Sequence, residues 1–240
     1  TLAQNNGGCY LDFLDGRYMI NLLEPKAWAS EPVEDPDAPE AFRRSGRISQ
    51  HIAFLKDWFR SYKDFSDMEV DTIEIMLSRL YENFHLTEST DFSKLKPTDY
   101  PIMEDLFELC MEEYRNYDPT GKPLYTEDIL QRICLGLNSV CVGAESRFFN
   151  GHTNIEDNKF LIFGVKGIMD LNKKLRCAIE FNILSYMTHQ LLSVGNAVAT
   201  LDELYLLLHS PTTIEYIRNA MKRGRKKYSA LVLASHNIED

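Results

Sequence analysis

A chain of 240 residues that is 44% hydrophobic and 26% charged is long enough to bury a sizeable core and too apolar to be globally disordered. Its formal net charge of −10 excludes a surface that grips nucleic acid over its whole area and leaves room only for a local basic patch. No apolar run reaches the roughly 18 residues of a membrane span, there is no signal peptide, and Cys9, Cys110, Cys134, Cys141 and Cys177 form no C-x-x-C pair. Buried free thiols in a cytosolic, reducing compartment are therefore expected. The first residue is Thr1, not methionine, which fits a piece of a longer polypeptide.

In chain order, residues 7–23 read as a β-hairpin, with Asp15-Gly16 as the turn between an apolar run around Tyr10 and a second from Tyr18 to Leu23. Residues 29–40 carry Pro32, Pro36 and Pro39 among acids and read as a loop. From 40 to 145 the period is helical. Ile48, Ile52, Leu55, Phe59 and Tyr62 share one helix face, as do Ile73, Leu77, Leu80 and Phe84, and again Leu130, Cys134, Leu137 and Cys141. A further helix is predicted over 101–117, and Thr126 before two acids is an N-cap. Together these form a small all-α bundle. The aromatics Trp58, Phe59, Tyr62, Tyr81 and Phe84 follow the core period and are expected to pack, not to stack on bases.

The pattern then alternates. Strands are predicted at 160–165, 198–201 and 231–234, with helices at 171–192 and 211–223 between them. Ser210-Pro211 opens the second of these helices, and Gly224 stands where a left-handed C′ glycine would end it. Such alternation is the signature of an α/β fold with a parallel sheet. The expected map is 1–39 as hairpin and loop of an α/β domain, 40–145 as an all-α insertion, and 146–240 as the remaining α/β segment.

Residues 198–205, V-A-T-L-D-E-L-Y, end an apolar strand in adjacent carboxylates, Asp202 and Glu203. In an ATPase such a pair holds Mg²⁺, directly or through water, and polarises the water that attacks the γ-phosphate. The same pair also suits the acidic first turn of a helix over 203–209. Lys222, Arg223, Arg225, Lys226 and Lys227 cluster at a helix C-terminus. There they complement the dipole, reach a phosphate in an adjacent subunit, or touch DNA. His236 follows the last strand and could sense the γ-phosphate or position water; His152, in G-H-T-N, is a weaker candidate. No zinc-type spacing, G-x-S-x-G or Cys/His nucleophile pattern is present. Nor is there a G-x-x-x-x-G-K-[ST] loop. The only Gly-Lys, Gly121-Lys122, has Asn116 in place of the first glycine and Pro123 in place of the hydroxyl.

The succession G-G-C-Y-L-D-F-L-D-G-R-Y-M-I-N-L-L-E-P, a helical insertion, F-N-G-H-T-N-I, F-L-I-F-G-V-K-G-I, L-D-E-L-Y and R-G-R-K-K-Y-S-A-L-V-L-A-S-H-N-I-E-D resembles the conjugative type IV secretion ATPases, the fourth VirB component and its relatives in mobile elements. That resemblance implies a RecA-like P-loop ATPase domain interrupted by an all-α domain. It implies a ring-forming motor, cytoplasmic and peripherally attached to the inner face of the membrane, that uses ATP and Mg²⁺. Its partners would be other subunits of the ring, the secretion channel, and DNA or a coupling protein. Asp202 and Glu203 match the Walker B pair, with Asp202 toward magnesium through water. Arg225 matches an arginine that acts on a neighbour's nucleotide. His236 stands where a glutamine usually ends the next strand, and Leu22 where an Asn-Pro pair is common. The phosphate loop would lie upstream of Thr1, so this chain alone is expected to bind no nucleotide and hydrolyse little. On the residues themselves two other readings stay open: a non-enzymatic helical interaction module, and a fragment of a DNA-translocating coupling ATPase.

Overall fold

The computed structural model describes residues 2–26, 46–155, 159–202 and 211–235. The chain divides into two compact units, Thr1–Glu24 with Trp58–Ile179, and Pro25–Asp57 with Glu180–Asp240. The elements are α1 (Leu2–Asn5), β1 (Cys9–Asp12), α2 (Arg47–Lys63), α3 (Asp67–Asn83), α4 (Met103–Arg115), α5 (Glu127–Cys141), α6 (Ser146–Phe149), β2 (Leu161–Gly164), α7 (Lys173–His189), β3 (Val198–Leu201), α8 (Pro211–Gly224) and β4 (Ala230–Leu233). A π-helical turn, Gln190–Val194, extends α7.

In the first unit, α3, α4 and α5 bury the faces their periodicity specifies. Val70, Ile73, Met76 and Leu77 of α3, Met103, Leu106 and Cys110 of α4, and Leu130, Ile133 and Leu137 of α5 are fully buried. Helix starts are fixed locally. Ser66 and Glu69 form a reciprocal capping box on α3, and the Thr126 hydroxyl accepts from the Ile129 N–H at 3.4 Å on α5. Trp58 and Tyr62 from the end of α2 stack on each other, and Trp58 meets Phe149 edge-on, with the Trp58 Nε1–H donating to the Ala178 carbonyl at 3.1 Å.

The hairpin over 7–23 does not form. β1 pairs in parallel with β2, Cys9 opposite Leu161 through Asp12 opposite Gly164. A two-residue type I′ turn needs positive φ at both central residues, whereas here only Gly16 has one, at 67°, where it ends a 3₁₀ turn capped by Asp12. The returning segment finds side chains instead of a strand. Met19 N–H donates to Asn154 Oδ1 at 2.7 Å, Asn21 N–H to Thr153 Oγ1 at 3.0 Å, and Asn154 Nδ2 to the Arg17 carbonyl at 2.8 Å. Asn21, with no exposure, donates to the Pro101 carbonyl and accepts from Leu23 N–H, both at 2.9 Å. Asn21→Ala strands two buried backbone groups and is expected to lower unfolding free energy by about 2–4 kcal/mol in urea denaturation.

The expected parallel sheet is seen in part. Among the described residues there are two separate two-stranded parallel ladders, β1–β2 in the first unit and β3–β4 in the second. Alternation of strands and helices specifies parallel pairing but not which strands are neighbours.

Burial pushes the Cys110, Cys134 and Cys141 thiols upward. It does the same to Tyr81 and Tyr62; for Tyr62 burial is reinforced by the hydrogen bond it gives Glu145. Groups whose acid forms are favoured in the folded state add stability that is fully present below their unfolded values and lost above them. Stability is therefore expected to be flat from neutrality to about pH 8 and to fall from about pH 9 upward. Spectrophotometric titration should show Tyr62 and Tyr81 ionising only as the fold is lost.

Candidate functional site

The second unit places the sequence-predicted residues by a strand–helix–strand arrangement, β3–α8–β4. The ladder is parallel, Val198 opposite Ala230 through Leu201 opposite Leu233. One face is closed: Leu184, Leu201 and Ile217 pack with Met187, Leu231 and Leu233, and beside them Leu191, Leu192 and Ala220 pack with Ala197 and Ala199. The alternation that turns these side chains inward leaves Val198 and Val232 exposed on the other face.

Asp202 follows Leu201 directly, beyond the carboxyl end of β3, and is exposed. Ala234 N–H donates to the Leu201 carbonyl at 2.8 Å, so the chain leaving β4 at Ala234 and Ser235 lies beside the chain leaving β3. The carboxylate and the exit of β4 thus share one edge, the edge at which open α/β folds receive ligands. Glu203 and His236, each the next residue or two along, lie outside the described residues, as does the Ser210 cap.

The basic cluster sits at the opposite edge. α8 runs to Gly224 and continues as a 3₁₀ turn, Arg225–Lys227, which carries exposed Arg225 and Lys226. This corner is tied to the entry of β3. Asn196 N–H donates to the Lys227 carbonyl at 2.8 Å and Ala197 N–H to Ser229 Oγ at 3.2 Å. Gly195, at φ 74°, lets the Lys227 carbonyl come so close that a Cβ there would stand 2.8 Å from it. Val198 to Asp202 spans four strand residues, about 13 Å, so Asp202 and Arg225 do not converge within one chain.

Gly224 is not the left-handed stop the sequence suggested. It is helical, at φ −54°, and Tyr228 takes the left-handed position at φ 56° with its ring 89% exposed. The close pass of the Ser229 carbonyl, 3.3 Å from where a Cβ of Gly224 would be, accounts for a glycine there. Ser229, Asn196 and Gly195, which hold the corner, carried no sequence signal beyond being small and polar. Gly121 closes an exposed 3₁₀ turn between α4 and α5, with Lys122 left-handed after it. A phosphate loop needs a strand before it and a helix after it, so this Gly-Lys is a surface turn. Thr153 and Asn154, by contrast, are explained by the backbone they hold, and His152 beside them has a buried Nδ1 with no hydrogen-bond partner.

No protein-family model matches the sequence, and neither does any curated protein. Among solved structures the chain superposes on VirB4 of Thermoanaerobacter pseudethanolicus with a TM-score of 0.79 at 24% identity, over 98% of its own length. The chain shares the fold of part of that VirB4 chain. It spans 58% of the length of that VirB4 chain. Among the described residues, no helix is long and apolar enough to cross a membrane.

Proposed function

We propose that this chain is the Walker B half, with the inserted helical domain, of a type IV secretion motor ATPase. The observation that carries the reading is the likeness to VirB4 across nearly the whole chain. The disposition of β3, α8 and β4 supports it. Asp202, with Glu203 next to it in the sequence, stands where a sheet presents ligands, and Arg225 stands at the far edge, where it would serve a nucleotide held by a neighbouring subunit. In this account residues 40–145 are the all-α insertion in a RecA-like domain formed by 1–39 and 146–240.

Asp202 fits a magnesium ion as a carboxylate acting through water. Among the described residues no three carboxylates, histidines or cysteines gather around one point, so nucleotide oxygens and water would complete the ion's shell. When bound, ATP and Mg²⁺ supply the phosphoryl group and the charge neutralisation. This chain supplies the base at Glu203, the outer ligand at Asp202, the trans cation at Arg225, and at His236 a polar contact to the γ-phosphate. The motor would work as a homo-oligomeric ring on the cytoplasmic side of the membrane, against channel components and with DNA or a coupling protein as further partner.

The test is ATP turnover. The 240-residue chain alone should hydrolyse little or none, because no residue run in it cradles phosphates. The full-length protein should hydrolyse ATP and lose turnover on Glu203→Gln. Robust hydrolysis by the chain alone, abolished by that substitution, contradicts the division of labour. A full-length protein whose turnover ignores Glu203→Gln returns the chain to the interaction-module reading, and salt-sensitive DNA binding that stimulates turnover favours the coupling ATPase.

A further inference from the structure

The first unit carries a groove that the proposed ATPase role does not use. α4 points Met103, Leu106 and Cys110 into the core and leaves Phe107 and Met111 half-buried on its flank. Together with Val142, 45% exposed just past α5, these two line an open groove rimmed by Glu104, Glu108 and Glu112. Arg115 and Asn116 also line it.

The rim is a single row, spaced four and four residues along α4, and about 12 Å long. Each like-charge pair at that spacing destabilises the helix. Glu112 also faces the negative end of the dipole in the last turn. The neighbouring Glu113 is treated differently: Arg79 bridges it at 2.9 Å and Tyr125 donates to it at 2.5 Å. Glu104 receives a hydrogen bond from Asn150 Nδ2 at 3.2 Å. Among the described residues, no cation bridges Glu108 or Glu112. An apolar floor one turn long beneath a carboxylate row that opposes its own helix is the complement of a cationic amphipathic helix, with apolar residues at i and i+4 flanked by Lys or Arg at i−3, i+1 and i+5.

We propose that the α4 groove docks a basic amphipathic helix of a partner protein, with Phe107, Met111 and Val142 receiving its apolar face and Glu104, Glu108 and Glu112 its cations. The inference stands apart from the ATPase reading, because groove and phosphate-edge residues belong to different units.

The experiment uses an 18-residue fluorescein-labelled peptide of leucine and lysine arranged as an amphipathic helix, and a scrambled peptide of the same composition. Anisotropy titrations with the 240-residue chain should show binding that weakens with added salt. The double variant Glu108→Gln/Glu112→Gln should weaken it at least tenfold, and so should scrambling the peptide. The double variant removes like-charge pairs, so its thermal midpoint should equal or exceed that of the parent chain, which separates lost binding from lost folding. Met111→Ser should weaken binding without changing its salt dependence. Equal affinity of the double variant, or equal affinity for the scrambled peptide, overturns the proposal. So does self-association of the parent chain in sedimentation velocity that the double variant abolishes, since that assigns the groove to a second copy.

Discussion

Arg225→Ala in the full-length protein is expected to lower kcat by roughly a thousand-fold with a small change in KM, the loss typical of a cation that neutralises transition-state charge. The expectation follows from its place on the fold. Arg225 is exposed in the 3₁₀ turn after α8, at the edge of the β3–β4 ladder opposite Asp202. It has no route to a phosphate held beside its own chain's carboxylates, so its substitution should leave the binding of nucleotide by a single subunit intact. Lys226→Ala, one residue on and also exposed, controls for general loss of positive charge and should cost less than tenfold. A large effect of Lys226→Ala with a small one of Arg225→Ala would point to a diffuse basic surface and against a placed guanidinium.

The second large effect is on stability. Trp58→Ala should lower the unfolding free energy of the first unit by about 3–5 kcal/mol. The side chain is wholly buried, its ring contacts Phe59, Tyr62 and Phe149, and its indole N–H satisfies the Ala178 carbonyl. Trp58→Phe keeps most of the packing and loses the indole hydrogen bond to a carbonyl that stays within the α7 ladder, and should cost about 0.5–1.5 kcal/mol. Leu124→Ala, at a side chain 92% exposed, should stay within about 0.5 kcal/mol. Urea denaturation followed by circular dichroism measures all three. A Trp58→Ala variant as stable as Leu124→Ala would contradict the packing described for the end of α2.

These residues also show what could be read from the sequence. α2 to α5 were legible because a helix face is written within four residues, and the Thr126 cap because its partner Ile129 is three residues away. β2, β3 and β4 were legible as short apolar runs, and the parallel pairing of β3 with β4 from the helix between them. The partner of β1 was not, since β2 lies some 150 residues on and nothing local distinguishes it from the segment after Gly16. Asp-Gly signalled a turn correctly; what it could not convey is that Asn154 and Thr153 would claim the amides that a hairpin needs. Of the candidate site, the succession of acidic pair, basic cluster and polar strand end was visible as spacing. The opposite-edge placement of Asp202 and Arg225 was not, because it depends on where α8 returns to the sheet. The grip of Gly195, Asn196 and Ser229 on the basic corner was hidden for the same reason.

The most direct test of the central claim mixes two inactive full-length variants, Glu203→Gln and Arg225→Ala, in equal amounts under conditions that let subunits exchange. If each site takes Glu203 from one subunit and Arg225 from the next, about a quarter of the interfaces in a mixed ring regain both groups, and ATP turnover should return to about that fraction of the parent's rate. Turnover that stays at the level of the separate variants would contradict an arginine acting between chains.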